Sequence, residues 1–316
     1  MKEESIAAVV VTYNRKALLL ECLNAIMNQS IPVNRIILID NASTDGTKEA
    51  LAECGILQNP TLEYKLMEKN TGGSGGFYEG LKISREYDYD WIWVMDDDTI
   101  PSQDCLANLI EAKEIIKKEN GTISFLASAI YGQDGEFMNV PNISEKESAN
   151  GYPYWYGLLS EGIVNICDAT FVSILINRQA IMKCGLPNRD YFIWGDDSEY
   201  TTRLTYYFGD AYLVGKSIAI HKRKNASSLR ISNETDKKRI KLFYYSFRNS
   251  AVNDRYYKKK KYCRLRCIKN VLTSIRYLKE DNGVIKALTV ARGSIAGLMQ
   301  YNRFKRYIDD QLKIGT

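Results

Sequence analysis

Only one histidine, His221, occurs among the 316 residues, and the seven cysteines (Cys22, Cys54, Cys105, Cys167, Cys184, Cys263 and Cys267) include no CxxC pair and are odd in number. A disulfide framework and a thiolate zinc site therefore have little basis, and a reducing cytosol suits the chain. From Met1 to Tyr13 acidic residues appear at once, and the apolar run is too short for a signal peptide or a spanning helix. Any membrane contact is thus expected to be peripheral, at the cytoplasmic face. The glycines that follow Asn70 form neither GxGxxG after the first strand nor GxxxxGK(S/T), which argues against a Rossmann dinucleotide site and a P-loop.

Charge is plentiful and unevenly placed. Residues 222–316 hold 25 Lys and Arg against 7 Asp and Glu, so the formal net charge of +5 divides into an acidic front half and a strongly basic tail. Such asymmetry implies different partners, a cation–substrate complex in front and an anionic surface behind. The length suits one large α/β unit with a smaller appendage. The domains expected are residues 1–225, in two halves (1–100 and 101–225), and a basic helical region over 226–316.

The front half alternates strands and helices. Residues 6–11 are apolar on both faces, as a central parallel strand must be when helices cover both sides. A helix over 17–27, a strand over 35–39 ending in Asp40, a helix over 47–54, a third strand over 62–67 and a helix from about Tyr78 follow. Asn70–Phe77 contains Gly72, Gly73, Gly75 and Gly76, which reads as a loop permitting positive φ and close approach to a ligand. A buried strand over 91–95 then delivers Asp96, Asp97 and Asp98 to the crevice where open α/β sheets bind ligands. Strand alternation points Asp96 and Asp98 one way and Asp97 the other. The triplet either holds a cation or caps a helix starting at Pro101.

Farther on, the aromatic segment Gly151–Gly157 includes Trp155; its rings either stack on sugar faces or cover a small second core. Asp168 precedes an apolar strand over 169–176 and can orient a pocket. Trp194-Gly195-Asp196-Asp197-Ser198-Glu199 opens an amphipathic helix reaching about Tyr207; its aspartates are either helix-start residues or a functional pair beside an aromatic wall. His221 follows a short strand over 212–214 and an apolar segment over 217–220. Either it is delivered inward to complete a hard-ligand cation site or it belongs to a basic edge.

The ordered motifs Val11-Thr12-Tyr13-Asn14-Arg15, Asp40-Asn41-Ala42-Ser43-Thr44-Asp45-Gly46-Thr47 and Asp96-Asp97-Asp98 resemble the nucleotide-diphospho-sugar half of a family-2 inverting glycosyltransferase of the GT-A fold, over about residues 5–225. The Asn70–Phe77 segment, the Trp194–Glu199 segment and His221 are most similar in pattern to bacterial galactofuranosyltransferases, and related rhamnosyltransferases share most of it. The resemblance implies an α/β fold with a mostly parallel central sheet and a metal-dependent single displacement. It places Thr12 and Arg15 near the base, Asp40 on the uridine or thymidine, and Asp96 in the ribose and cation region, with Asp97 among the substrate-binding residues. Asp98 and His221 would ligate Mn²⁺ or Mg²⁺. Gly72, Gly73, Gly75 and Gly76 would face the donor sugar or its phosphates, with Trp155, Asp168 and Trp194 lining the pocket. Asp197 would accept the acceptor proton and Asp196 position the hydroxyl. The donor implied is UDP-galactofuranose, with dTDP-rhamnose or a noncatalytic sugar-nucleotide scaffold as alternatives. The acceptor would be a polyprenyl-linked saccharide or growing cell-surface glycan, receiving one or a few sugars.

The tail mixes basic, aromatic and apolar residues in helical segments around 240–252 and 263–278, with Lys258, Lys259, Lys260 and Lys261 between them. Such helices either lie on an anionic membrane or form a homo-oligomer surface. No recognised nucleic-acid motif accompanies the basic residues, which ranks nucleic acid low among partners.

Overall fold

The computed structural model describes residues 4–118, 121–223, 230–258 and 260–314. The first part alternates strand and helix: β1 (Ile6–Thr12), α1 (Lys16–Met27), β2 (Arg35–Asp40), α2 (Thr47–Glu53), β3 (Leu62–Leu66), α3 (Gly72–Ser84) and β4 (Trp91–Asp96). Next come β5 (Thr99–Pro101), α4 (Cys105–Lys118), β6 (Ile123–Tyr131), β7 (Phe137–Met138), β8 (Ile163–Ile166), β9 (Ile174–Asn177), α5 (Arg178–Cys184), α6 (Asp196–Tyr207) and β10 (Asp210–His221). The tail is α7 (Lys237–Tyr257), α8 (Lys260–Tyr277) and α9 (Gly283–Ile314).

One sheet runs β3-β2-β1-β4-β9-β6-β10-β5, with β7 added to β6 and β8 to β10. Six of its strands (β1, β2, β3, β4, β6 and β10) point one way, and β5, β7, β8 and β9 run against them. Every β1 residue is buried because helices cover both faces. Ala8, Val10 and Leu38 pack with Leu19 and Leu23 of α1 on one side, while Val9, Val11 and Ile39 pack with Phe77 and Leu81 of α3 on the other.

Because six strands share a direction, their C-terminal ends gather along one edge. Thr12 lies opposite Asp40, and Val11 opposite Asp96. The turn Asp97-Asp98 leaves β4 at the sheet centre and enters β5, which pairs with the end of β10 so that Thr99 faces His221. The acidic triplet is therefore the bridge that brings the middle of the sheet to its far margin. This corrects the helix expected from Pro101: residues 99–101 are committed to strand pairing, and α4 begins at Cys105.

Other expectations also change. The glycine-rich segment is the first two turns of α3 rather than a loop, because its glycines let the helix sit against the sheet. A Cβ on Gly76 would lie 2.4 Å from Val11 Cγ1, and one on Gly80 2.4 Å from Val9 Cγ1. The strand expected over 169–176 is confined to Ile174–Asn177. The two apolar pieces before His221 form a single strand with a register shift between Val214 and Ile218. The tail holds a third helix, α9, unseen in the sequence pattern, whose Gly293 and Gly297 rest directly on α7 beside the Tyr244 carbonyl and Ala251. The expected 225/226 domain boundary lies outside the described residues, as does Lys259. Among the described residues no helix is long and apolar enough to cross a membrane.

Candidate active site

Asp96, Asp98 and His221 each offer a ligand atom, and these atoms lie within 4.8 Å of one another. Asp98 and His221 are buried, Asp96 partly so. His221 Nδ1 lies 2.8 Å from Oδ1 of Asn139, whose amide nitrogen donates to Thr170 Oγ1 at 3.0 Å. A carbonyl oxygen can only accept, so Nδ1 carries the proton and Nε2 presents its lone pair. That lone pair faces Asp98 Oδ1 at 3.2 Å, and this buried oxygen accepts no hydrogen bond. Two acceptors turned toward each other, one of them orphaned, fit a hard divalent cation. Asn139, with φ of 49°, is a site residue that no sequence signal indicated.

Asp97, in the turn after β4, takes other partners. Its Oδ2 accepts from the Thr12 hydroxyl at 2.7 Å and the Tyr13 N–H at 3.3 Å. Arg15 donates to Asp97 Oδ1 at 3.2 Å and to Asp98 Oδ2 at 2.6 Å. Thr12 and Arg15 thus hold the triplet in place and partly neutralise it. Burial, then the charges of Asp98 and Asp97, pushes the Asp96 carboxyl well above its ordinary range. Asp97 rises to about 6, burial outweighing Arg15. Burial also opposes ionisation of Asp98, yet its carboxyl stays on the low side, with the Arg15 guanidinium at 2.6 Å favouring the charged form.

Asp40, at the end of β2, is buried and accepts from the Tyr64 hydroxyl and the Ser43 N–H, both at 2.8 Å. Asn41 next to it donates to the Gly72 carbonyl at 2.9 Å and accepts from Thr71 N–H at 2.9 Å, fixing the start of α3. The four glycines there have unequal roles. Gly72 has φ of +74°, and a Cβ on it would meet the Phe192 carbonyl oxygen at 1.9 Å. Gly75 is tight against Thr71 and Gly76 against Val11, whereas Gly73 has open space. Of the four, Gly73 is the one free to approach a ligand.

The Asp196–Asp197 pair begins α6, after a loop in which Phe192 (φ 67°), Trp194 (φ 60°) and Gly195 (φ 90°) all adopt left-handed backbone. Non-glycine residues in that region are strained and need outside support. The support comes from the tail. The Asn249 side-chain amide donates to the carbonyls of Tyr191, Ile193 and Trp194 at 3.1, 3.2 and 2.6 Å, and Arg248 Nη2 to those of Asp190 and Tyr191 at 2.7 and 3.0 Å. Asn253 donates to the Gly195 carbonyl at 3.0 Å. The basic tail therefore helps build the site, and the only sequence sign was a polar Arg248-Asn249 step on the inward side of an amphipathic helix. Asn249→Ala is expected to lower transfer about tenfold or more and stability by about 1–3 kcal/mol, measured by turnover and chemical unfolding. Normal turnover in a destabilised variant would reduce the clamp to a folding element.

Asp196 is buried, and burial followed by repulsion from Asp197 raises its carboxyl to about 7. Asp197 is also raised, by burial, while its Oδ1 accepts from Ser198 N–H at 2.7 Å. Asp197 lies near enough to Asp96 for its charge to raise that carboxyl, and Asp168 acts in the same way on Asp197, which makes these groups electrostatic neighbours. Asp168 is held by Asn142, which donates to both its oxygens. Trp194 is less of an open wall than the sequence suggested: its ring packs on Phe243 of α7 with centroids 4.8 Å apart. Trp155 stacks edge-on with Tyr156 at 5.8 Å in a turn beside β8, and its described contacts do not join it to the carboxylates. Glu199 serves structure: it forms a fully buried pair with Arg203, Oε2 to Nη2 at 2.6 Å, and accepts from Tyr257 at 2.6 Å.

Galactofuranosyltransferase GlfT1 of Mycobacterium tuberculosis is 32% identical over 213 residues, covering 64% of this chain and 64% of that protein. The Mycolicibacterium smegmatis GlfT1 is 33% identical over 99 residues. The chain spans about a third of the latter and just under two thirds of the former. Among solved structures, residues 1–349 of Staphylococcus aureus TarS superpose with a TM-score of 0.55 at 18% identity, covering 98% of this chain and 90% of that one. GalNAc-T7 with UDP, GalNAc and Mn²⁺ gives 0.56 at 16% identity, covering 79% of this chain and 50% of that one. At such identities the likeness is one of fold, a GT-A-like α/β core with a mixed sheet and a helical C-terminal region. The family model described as glycosyl transferase family 2 matches residues 7–184, and the chain belongs to that family.

Proposed function

We propose that this chain transfers a sugar from a nucleoside-diphosphate donor to a glycan acceptor with inversion, and that the donor is UDP-galactofuranose. The observation that carries the reaction class is the Asp96, Asp98 and His221 ligand set, and the Asp197 charge acting on Asp96 supports adding the Asp196–Asp197 pair to it. The 32% identity to a protein named galactofuranosyltransferase supports the sugar. Asp96, Asp98 and His221 would hold Mn²⁺ or Mg²⁺, which supplies positive charge to the departing diphosphate. Asp40 and the Thr12–Arg15 turn border the nucleotide side, and Gly73 leaves room at the start of α3. As the acceptor oxygen bonds to the anomeric carbon and the bond to the diphosphate breaks, Asp197 takes the hydroxyl proton, and Asp196 orients that hydroxyl. Neither residue forms a covalent sugar intermediate.

A lipid-linked saccharide or growing cell-surface glycan is the acceptor this reading favours. The test is a donor panel with a lipid-linked acceptor pool, read by product mass and released nucleotide. A galactofuranose mass increment with released UDP supports the proposal, and a rhamnose increment from dTDP-rhamnose replaces the donor. Tight nucleotide-sugar binding without product from any donor would make the chain a sensor or scaffold.

A further inference from the structure

In a helix at a protein surface the large apolar side chains normally face inward. α8 does the reverse. The residues it buries are small, Cys263, Cys267 and Ser274, while Tyr262, Leu265, Ile268, Leu272 and Ile275 are each more than half exposed. Steps of three and four from Leu265 to Ile275 place these side chains along one stripe. Its inner contacts are modest: the Cys263 thiol donates to the Ala251 carbonyl at 3.1 Å and Asn270 to Ser294 Oγ at 3.2 Å. Neighbouring α9 also exposes Leu288, Ile295 and Met299.

The charge on α8 identifies what covers this face. Between Lys260 and Tyr277 the helix carries six Lys and Arg and no Asp or Glu. Arg266 is paired with Asp254 of α7, so two copies meeting through this face would bring the other ten cations together with no carboxylate on either helix, which opposes an isologous dimer. A nucleic-acid backbone would satisfy the cations but leave the leucine and isoleucine stripe in water. An anionic bilayer offers both phosphates and acyl chains at the required depth.

We propose that α8 is a monotopic docking element, with its apolar stripe resting at the acyl boundary of an anionic membrane and Lys260, Lys261, Arg264 and Lys269 reaching the headgroups. This deepens the lipid-linked acceptor reading, since it would hold the cleft at the surface where such an acceptor lies. Of the lysines at 258–261, Lys258 pairs with Asp254 at 3.2 Å, and the apolar stripe lies beyond them along α8.

The test uses the full chain with vesicles of phosphatidylcholine alone or containing about one third phosphatidylglycerol, read by co-sedimentation. Wild type is expected on the anionic vesicles and largely absent from the neutral ones. Leu272→Ser with Ile275→Ser should weaken partitioning roughly tenfold or more at every salt concentration. Lys261→Gln with Arg264→Gln and Lys269→Gln should weaken it roughly tenfold at low salt and converge on wild type at high salt. These side chains face solvent, so unchanged melting curves and unchanged transfer to a short soluble acceptor confirm intact variants. Wild type that ignores anionic vesicles, or a serine double variant that binds like wild type, overturns the proposal. Loss of a solution dimer by the serine variant, with vesicle binding intact, assigns the face to a second copy. Capture of an oligonucleotide but not of vesicles assigns it to nucleic acid. Vesicle binding needs no donor, so failure of the donor panel leaves this result standing.

Discussion

Stripping divalent cations from the protein is expected to lower transfer by about a hundredfold or more, with Mn²⁺ or Mg²⁺ restoring it, because a diphosphate leaving group otherwise departs without charge compensation. Arg15 touches Asp97 and Asp98 but is bound to them, so it does not replace a cation on the leaving group. His221→Ala should weaken Mn²⁺ binding by roughly ten- to a hundredfold by calorimetry, with little effect on melting. Asn139→Ala should act in the same direction more mildly, since it frees the imidazole to adopt the other tautomer. His221 is the sole histidine, so the imidazole nitrogen spectrum of labelled protein contains one ring and reads the tautomer directly. Undiminished turnover in metal-free protein would remove the cation from the mechanism, and a His221→Ala variant with wild-type Mn²⁺ affinity would remove His221 from the site.

The alternating front half was legible because each signal was local. An apolar run such as Ile6–Val11 is compatible with a strand buried on both faces, and Asp40 and Asp96 end their strands where six aligned strands must all end. Asp96 and Asp98 do fall in one ligand set while Asp97 goes to Thr12, but residues 97 and 98 form a turn after β4, so the strand period is not the cause. The glycines misled because glycine permits two opposite outcomes, an open loop or a closely packed helix. Gly76 against Val11 shows the second, and the choice depends on a strand sixty-odd residues earlier in the chain.

What the sequence hid was mostly support from a distance. Nothing near Phe192 and Trp194 announces left-handed backbone at non-glycine residues, because Asn249 and Asn253, which hold their loop, come from another helix. Asn139 reaches His221 across 82 positions. Glu199 was read with its acidic neighbours, yet one turn of helix places it on Arg203 and removes it from the cleft. Charge patterning separated the tail from the acidic half in composition but gave no sign that α7 also braces the loop before the carboxylate pair.

Asp197→Asn is expected to reduce transfer by about a hundredfold or more while donor binding survives, because the amide keeps the size of the side chain and removes the proton acceptor. Asp196 gives the same cleft a pH signature. Its carboxyl is raised to about 7 by burial and by Asp197, and the repulsion between the two is mutual. A base must be ionised, so transfer should climb as pH rises toward neutrality and fall on the acid side. Asp196 is already protonated below about 7, so Asp196→Asn should leave the acid limb in place, with a smaller loss of rate at the plateau. Stability carries the opposite sign. An unfolded aspartate ionises near about 3.9, whereas Asp196 keeps its proton in the fold up to about 7, so wild type loses stability as pH rises between those values. Asp196→Asn, neutral throughout, should melt above wild type at about pH 8 and close to it at about pH 4. A severe chemical defect in Asp196→Asn beside near-normal transfer in Asp197→Asn would exchange the two roles; near-normal transfer in both would place the base elsewhere in the cleft.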